Sequence, residues 1–181
     1  MTTATALRVE IGPGKERFGD DWVTVGVSNV DHECVWGMHR LPFDDDSVDE
    51  LYACHVIEHI PWWRTQDAFL EAFRVLKSGG TIELHTIDFR KVVDHYMFGS
   101  AGDWEGRADL PYGEFMLWAA SRIFSHGKTY GDEQWHKALF DHPYLERCLT
   151  RAGFASIEEA GLPRGPEKHG VANMGLKAVK P

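Results

Sequence analysis

Residues 7–11 (LRVEI) alternate apolar and polar positions as a strand does and run straight into the turn Gly12-Pro13-Gly14. WVTVGV at 22–27 predicts a second strand, with Val23, Val25 and Val27 on one face. The acidic stretch LPFDDDSVDE leads into a third strand at about 50–55. From 64 to 78 the period becomes helical. Phe69, Ala72, Phe73 and Leu76 line one face, and Gly79-Gly80 supplies the stop. TIELHTI at 81–87 is another strand, and FRKVVDHYMF at 89–98 another helix. The rhythm breaks at about 99, with a loop, a helix over 114–125 and irregular sequence over 126–139. Asp141 then caps a helix running to about 152, with Leu145, Cys148 and Leu149 inward and Gly153 at its end. ASIEEA (155–160) and ANMGLKAV (172–179) close the chain as strands joined by a Gly/Pro loop. Strands alternating with helices at this pitch predict an α/β fold, a doubly wound and mostly parallel sheet with helices on both faces.

Composition changes this picture little. The 181 residues, 43% hydrophobic and 26% charged, fit one globular domain over 1–181, with 99–139 as an insert within it. A net charge of −9 argues against a nucleic-acid partner. No apolar run approaches the roughly 18 residues of a membrane helix, and MTTATALRVE has neither a basic start nor an apolar core of a signal peptide. Cys34, Cys54 and Cys148 are odd in number, widely spaced and free of any CxxC pattern. They point to a reducing, cytoplasmic setting for a soluble protein. Nothing in the chain specifies an oligomeric state.

Three features carry chemistry. The glycine turn after the first strand sits where open α/β sheets bind ligands, beyond the carboxyl ends of the strands; its alternative reading is a tight turn with Glu10 facing solvent. The tail of a dinucleotide GxGxxG is missing, because Lys15 and Arg17 occupy it. His55-Val56-Ile57-Glu58-His59 ends the third predicted strand proper, and residues 55, 58 and 59 can point toward one centre. Asp44, Asp45 and Asp46 read as a solvated turn rather than a cation site. Trp62, Trp63, Trp104 and Trp135 suit either a substrate wall or the core, and Trp118, inside a helical pattern, suits the core. His39, His85, His95, His126, His142 and His169 read as structural or solvated, with His126 sharing the irregular loop of His136.

In order along the chain, EIGPG, LPFDDDSVDELYACHVIEHI, FLEAFRVLKSGGTIELHTID and LERCLTRAGFASIEEA resemble class I S-adenosylmethionine-dependent methyltransferases of the small type-11-like branch. The resemblance covers 7–90 closely and 136–160 loosely, and leaves 99–135 unmatched. It implies a Rossmann-like fold and S-adenosylmethionine as cofactor. It places Gly12 and Gly14 at the methionine portion, Glu10 near the ammonium group, His55 on the methionine side, and Met38 at the adenine through its backbone. The insert becomes a lid that selects the acceptor. Two acids usual in the family are missing. Gly26 stands where the second strand normally ends in a ribose-binding acid, and Gly37 where an acid meets the adenine amino group. Asp31, Ser28 or Asn29 can substitute for the ribose contact after a shift of the loop.

The expected reaction is in-line methyl transfer to an unidentified small-molecule or macromolecular acceptor, which depends mainly on holding the reactants close and straight. His59 or His136 serves as base where the acceptor carries a proton, with Asp88 a lesser candidate. Missing nucleoside acids motivate an alternative, a methyltransferase-fold protein that binds a ligand or partner without catalysis. Some methyltransferases hold a divalent metal on an E-x-x-E-H element. The first reading of the HVIEH cluster is metal-free, with Glu58 and His59 capping or orienting the loop and His55 packing against the cofactor. By the E-x-x-E-H resemblance the alternative is an N/O set of His55, Glu58, His59 and His136 for a divalent metal, or for a metal-dependent hydrolase.

Overall fold

The computed structural model describes residues 6–14, 17–27, 30–33, 38–98, 115–124, 134–164, 170 and 172–181. The strands are β1 (Arg8–Ile11), β2 (Trp22–Gly26), β3 (His32–Glu33), β4 (Val48–Cys54), β5 (Leu76–Ile87), β6 (Ala155–Glu159) and β7 (Asn173–Val179). They form one sheet in the order β3-β2-β1-β4-β5-β7-β6. The first five run parallel, and β7 lies antiparallel between β5 and β6. The sequence order therefore doubles back at β1 and β4, so a crevice opens at their carboxyl ends.

Alternation divides the sheet into two unlike faces. Val9, Ile11, Val25, Leu51, Ala53, Ile82 and Leu84 belong to the main core. Helices α1 (Thr65–Val75) and α4 (His142–Ala152) contribute Phe69, Ala72, Leu145 and Leu149 to the same core. The opposite parity carries Glu10, Thr24, Tyr52, Glu83 and His85, all buried but polar. Helices α2 (Phe89–Phe98) and α3 (Phe115–Phe124) form a satellite cluster in which Val92, Trp118 and Ala119 pack with Ile87, a residue of that second parity. Trp118 is thus core, as its helical setting predicts.

Helix α1 ends earlier than its glycine stop suggests. The Arg74 and Val75 carbonyls accept the backbone N–H groups of Asp46 and Ser47, and Leu76 is already extended. Leu76 then pairs with Val48, so β5 begins before Gly79-Gly80 and not after it. Helix α4 matches expectation closely. Asp141 accepts from the Tyr144 N–H, and Gly153 ends the helix at φ 105°. Val27 lies just past β2 and is exposed, whereas Val25 is fully buried. Among the described residues no helix is long and apolar enough to cross a membrane.

Candidate functional site

The carboxyl end of β1 meets the loop after β4. Gly12 and Gly14 have φ of 66° and 64°, backbone conformations that favour glycine. Gly12 also has no room for a side chain, since a Cβ there would lie 2.5 Å from Val56 Cγ2. The glycine turn therefore abuts the HVIEH segment directly. Gly12→Ala combines left-handed backbone strain with that clash and should destabilise the fold by about 1–2 kcal/mol. Chemical denaturation measures it, and a cost near zero would show that the turn relaxes freely.

His55 follows β4 at φ 53°, an uncommon conformation for a side-chain-bearing residue and one that histidine tolerates better than most. This bend lets its Nδ1 lie 2.8 Å from Oε1 of Glu58, which sits on a short 3₁₀ turn, Ile57–His59. Glu58 is 2% exposed, and its Oε2 is buried without a hydrogen-bond partner. Burial alone would raise this carboxyl's pKa. The His55 hydrogen bond and the nearby His55, His59 and His136 outweigh that and hold it below the usual carboxylate range. Stability from this interaction is complete above a pH of about 4.5 and is lost as pH falls through the lowered value.

The chain brings His136 to the same place. Backbone N–H groups of Lys137 and Ala138 both donate to the Glu58 carbonyl, and the His59 and His136 rings meet edge to face at 4.9 Å. His136 Nδ1 lies 2.9 Å from the Arg122 carbonyl, and His59 Nδ1 lies 3.4 Å from that of Trp135. Carbonyl oxygens only accept, so both rings carry their proton on Nδ1 and keep a lone pair on Nε2. Burial pushes both imidazoles below the ordinary 6.5, against the opposing pull of Glu58. At neutral pH they are proton acceptors.

The four residues converge, but not as a metal centre. Among the described residues no group of three or more His, Cys, Asp or Glu is arranged to hold an ion. The alternative reading, a divalent metal on His55, Glu58, His59 and His136, is therefore not supported. The physical reason is visible in Glu58, whose Oε1 is turned onto His55 Nδ1. The aspartate run is also no cation site: Asp45 pairs with Arg74, and Asp46 with Lys180.

Other predicted residues fall as follows. Glu10 is buried, accepts from the Phe18 N–H through Oε2, and has its pKa raised by burial. Met38 is fully buried in the main core. Gly26 packs on the glycine turn, where a Cβ would meet Val30 at 3.2 Å and Pro13 at 3.7 Å. Asp31 straps the start of β3 to β2, accepting from the Thr24 N–H and hydroxyl and from Arg17. Those bonds hold its carboxyl at about 2. Glu33, which sequence reasoning missed, pairs in register with Gly26 and is exposed at the sheet's carboxyl edge. The signal was an acid two residues past Asp31, obscured because β3 is only two residues long. Asp88 caps α2 by accepting from the Arg90 and Lys91 N–H groups. Trp62 and Trp63 are exposed and touch edge to face at 5.7 Å, and Trp135 is also exposed. Ser28, Asn29, Cys34, Gly37, Trp104, His126 and His169 lie outside the described residues, as does much of the insert.

Comparison with known proteins agrees with this arrangement. The sequence model of a family described as a methyltransferase domain matches residues 23–84. A 2-methoxy-6-polyprenyl-1,4-benzoquinol methylase, mitochondrial, from Danio rerio is 33% identical over 108 residues, 51% of this chain and 31% of that protein. The chain thus spans about a third of this relative's length. A crystal structure from Thermotoga maritima, described as an S-adenosylmethionine-dependent methyltransferase and possible histamine N-methyltransferase, superposes with a TM-score of 0.58 at 17% identity, covering 99% of this chain and 84% of that one. The 1,6-didemethyltoxoflavin-N1-methyltransferase of Burkholderia thailandensis superposes at 0.59 and 14% identity, covering 97% and 71%. The match over residues 23–84 and the superpositions show that this chain is similar to S-adenosylmethionine-dependent methyltransferases and shares their Rossmann-like α/β fold.

Proposed function

We propose that this chain moves the methyl group of S-adenosylmethionine to an acceptor bearing a transferable proton. One observation carries the reading: the glycine turn and the Glu58–histidine cluster are in van der Waals contact through Gly12 and Val56. A cofactor cradle and a set of proton acceptors thereby share one crevice. The cofactor would supply a methyl group activated by its sulfonium. Gly12 and Gly14 would let backbone approach its methionine portion, with His55 alongside and Glu10 beneath. Glu33 offers two carboxylate oxygens to the ribose hydroxyls, in the position Gly26 leaves open. Asp31 can do so only by releasing Arg17. The 99–139 insert would cover the acceptor.

The acceptor's proton would pass to Nε2 of His59 or His136 as the new bond to carbon forms. Glu58, buried beneath them, would stabilise the resulting imidazolium. Calorimetric titration with S-adenosylmethionine and S-adenosylhomocysteine tests the reading. Saturable binding that Glu33→Gln weakens about tenfold is the expected result. No heat at millimolar cofactor would defeat it and leave the non-catalytic alternative.

A further inference from the structure

The carboxyl ends of β5 and β6 and the start of β7 enclose a cavity of about 390 Å³ that the chemistry above does not use. This is within the roughly 300–1,000 Å³ of small-molecule sites. The segment 137–140 separates it from the histidine cluster. On one side Lys137 N–H donates to the Glu58 carbonyl; on the other the Phe140 carbonyl accepts from Phe89 N–H.

Asp88, Lys91, His142, Glu159 and Asn173 form its polar lining. Asp88 caps α2 through Oδ1, which leaves its second carboxylate oxygen to line the cavity as an acceptor. Asn173 Oδ1 and His142 Nε2 are buried without a hydrogen-bond partner. Glu159 stands 3.8 Å from His142 Nε2, too far for a hydrogen bond. Lys91 Nζ reaches the Asn173 carbonyl at 2.7 Å. Buried polar atoms are nearly always paired. Two unpaired in one cavity, beside the Asp88 carboxylate, call for a ligand that supplies their partners.

The mixture of groups narrows that ligand's chemistry. Asp88, Glu159 and the Asn173 amide oxygen only accept, whereas Lys91 only donates. An ammonium would meet Lys91, and a phosphate or carboxylate would meet two carboxylates. A hydroxyl donates and accepts, and several on one frame satisfy both kinds of group. We propose that this cavity binds a neutral polyhydroxylated group, a sugar or cyclitol. The ligand class rests on the cavity alone and is independent of the methyl-transfer reading.

Amide-resolved NMR of the full chain saturated with S-adenosylhomocysteine, titrated with myo-inositol and methyl α-D-glucopyranoside, is the test. Saturable shifts at Lys91, Asn173 and Gly175 are expected, with affinity at least tenfold lower in Asp88→Asn. That variant keeps an oxygen to cap α2 and turns the other acceptor into a donor. Unchanged α2 amide signals show that its fold is kept. Absence of saturable shifts, equal affinity in Asp88→Asn, or stronger shifts with propylammonium or inorganic phosphate would overturn the proposal. Polyol shifts in a chain that fails to bind S-adenosylhomocysteine would defeat the methyl-transfer reading and leave the polyol site in place.

Discussion

Replacing His59 and His136 together with alanine should slow methyl transfer by about 10²–10⁴-fold while S-adenosylhomocysteine still binds. Both Nε2 atoms are lone-pair acceptors, because backbone carbonyls hold both Nδ1 protons. Either ring alone can take the proton, so each single substitution should cost less than the pair. The rate is read as S-adenosylhomocysteine release, with an acceptor found by transfer of a labelled methyl group. Equal rates in the double variant and the parent would remove both imidazoles from the chemistry. The pH dependence has a defined sign. Burial lowers both imidazoles below 6.5, so activity should stay level above that pH and fall only in acid. Glu58 pulls both values upward, so Glu58→Gln should move this acidic limb to still lower pH. NMR titration of the two ring signals checks the shift without any acceptor. Folding follows the same linkage: because unfolded imidazole binds protons more readily, these two residues make the chain less stable as pH drops below about 6.5.

Arg164→Ala should lower the free energy of unfolding by about 3 kcal/mol. Arg164 bonds Glu50 at 2.7 Å and also Glu83, and its guanidinium lies over Trp22 and Tyr52. Its backbone N–H donates to the Tyr52 hydroxyl at 2.9 Å. Removing the fork strands Glu83, a buried carboxylate then left only with His85. Arg164 is itself about one-third exposed, which sets the figure at the low end for a broken buried pair. Burial pushes the Glu83 carboxyl up, but His85 and Arg164 bring it below 4.5. Its contribution is therefore full above that pH and fades as pH falls. Arg164→Lys should recover less than half, because an ammonium lacks the planar fork that reaches two carboxylates while stacked on two rings. Urea denaturation measures both variants. A loss under 1 kcal/mol for Arg164→Ala would mean that solvent replaces the network.

Local pattern made most of the fold legible. The alternation of LRVEI and TIELHTI, the Asp141 cap and the Gly153 stop all act within a few residues of chain, and the structure has them where the pattern puts them. The end of α1 escaped for the opposite reason, because its last carbonyls are claimed by Asp46 and Ser47, distant in sequence, just before the neighbouring strand β4. The same division runs through the site. The residues of HVIEH are near neighbours, and their grouping with the glycine turn follows from strand order.

By itself, then, the sequence determined the strand and helix types, the glycine turn, and the presence of His55, Glu58 and His59 at the end of a strand. Periodicity and turn chemistry depend on residues close in the chain, so they can be read from it. Only the tertiary structure decided that His136 faces His59, that both rings keep free Nε2 lone pairs, and that no ion-holding group forms there among the described residues. It also set Glu33 beside Gly26, turned Asp88 into a helix cap, and placed Arg164 across Glu50 and Glu83. Each of these contacts depends on strand register, cap geometry or burial, which exist only once the sheet has assembled.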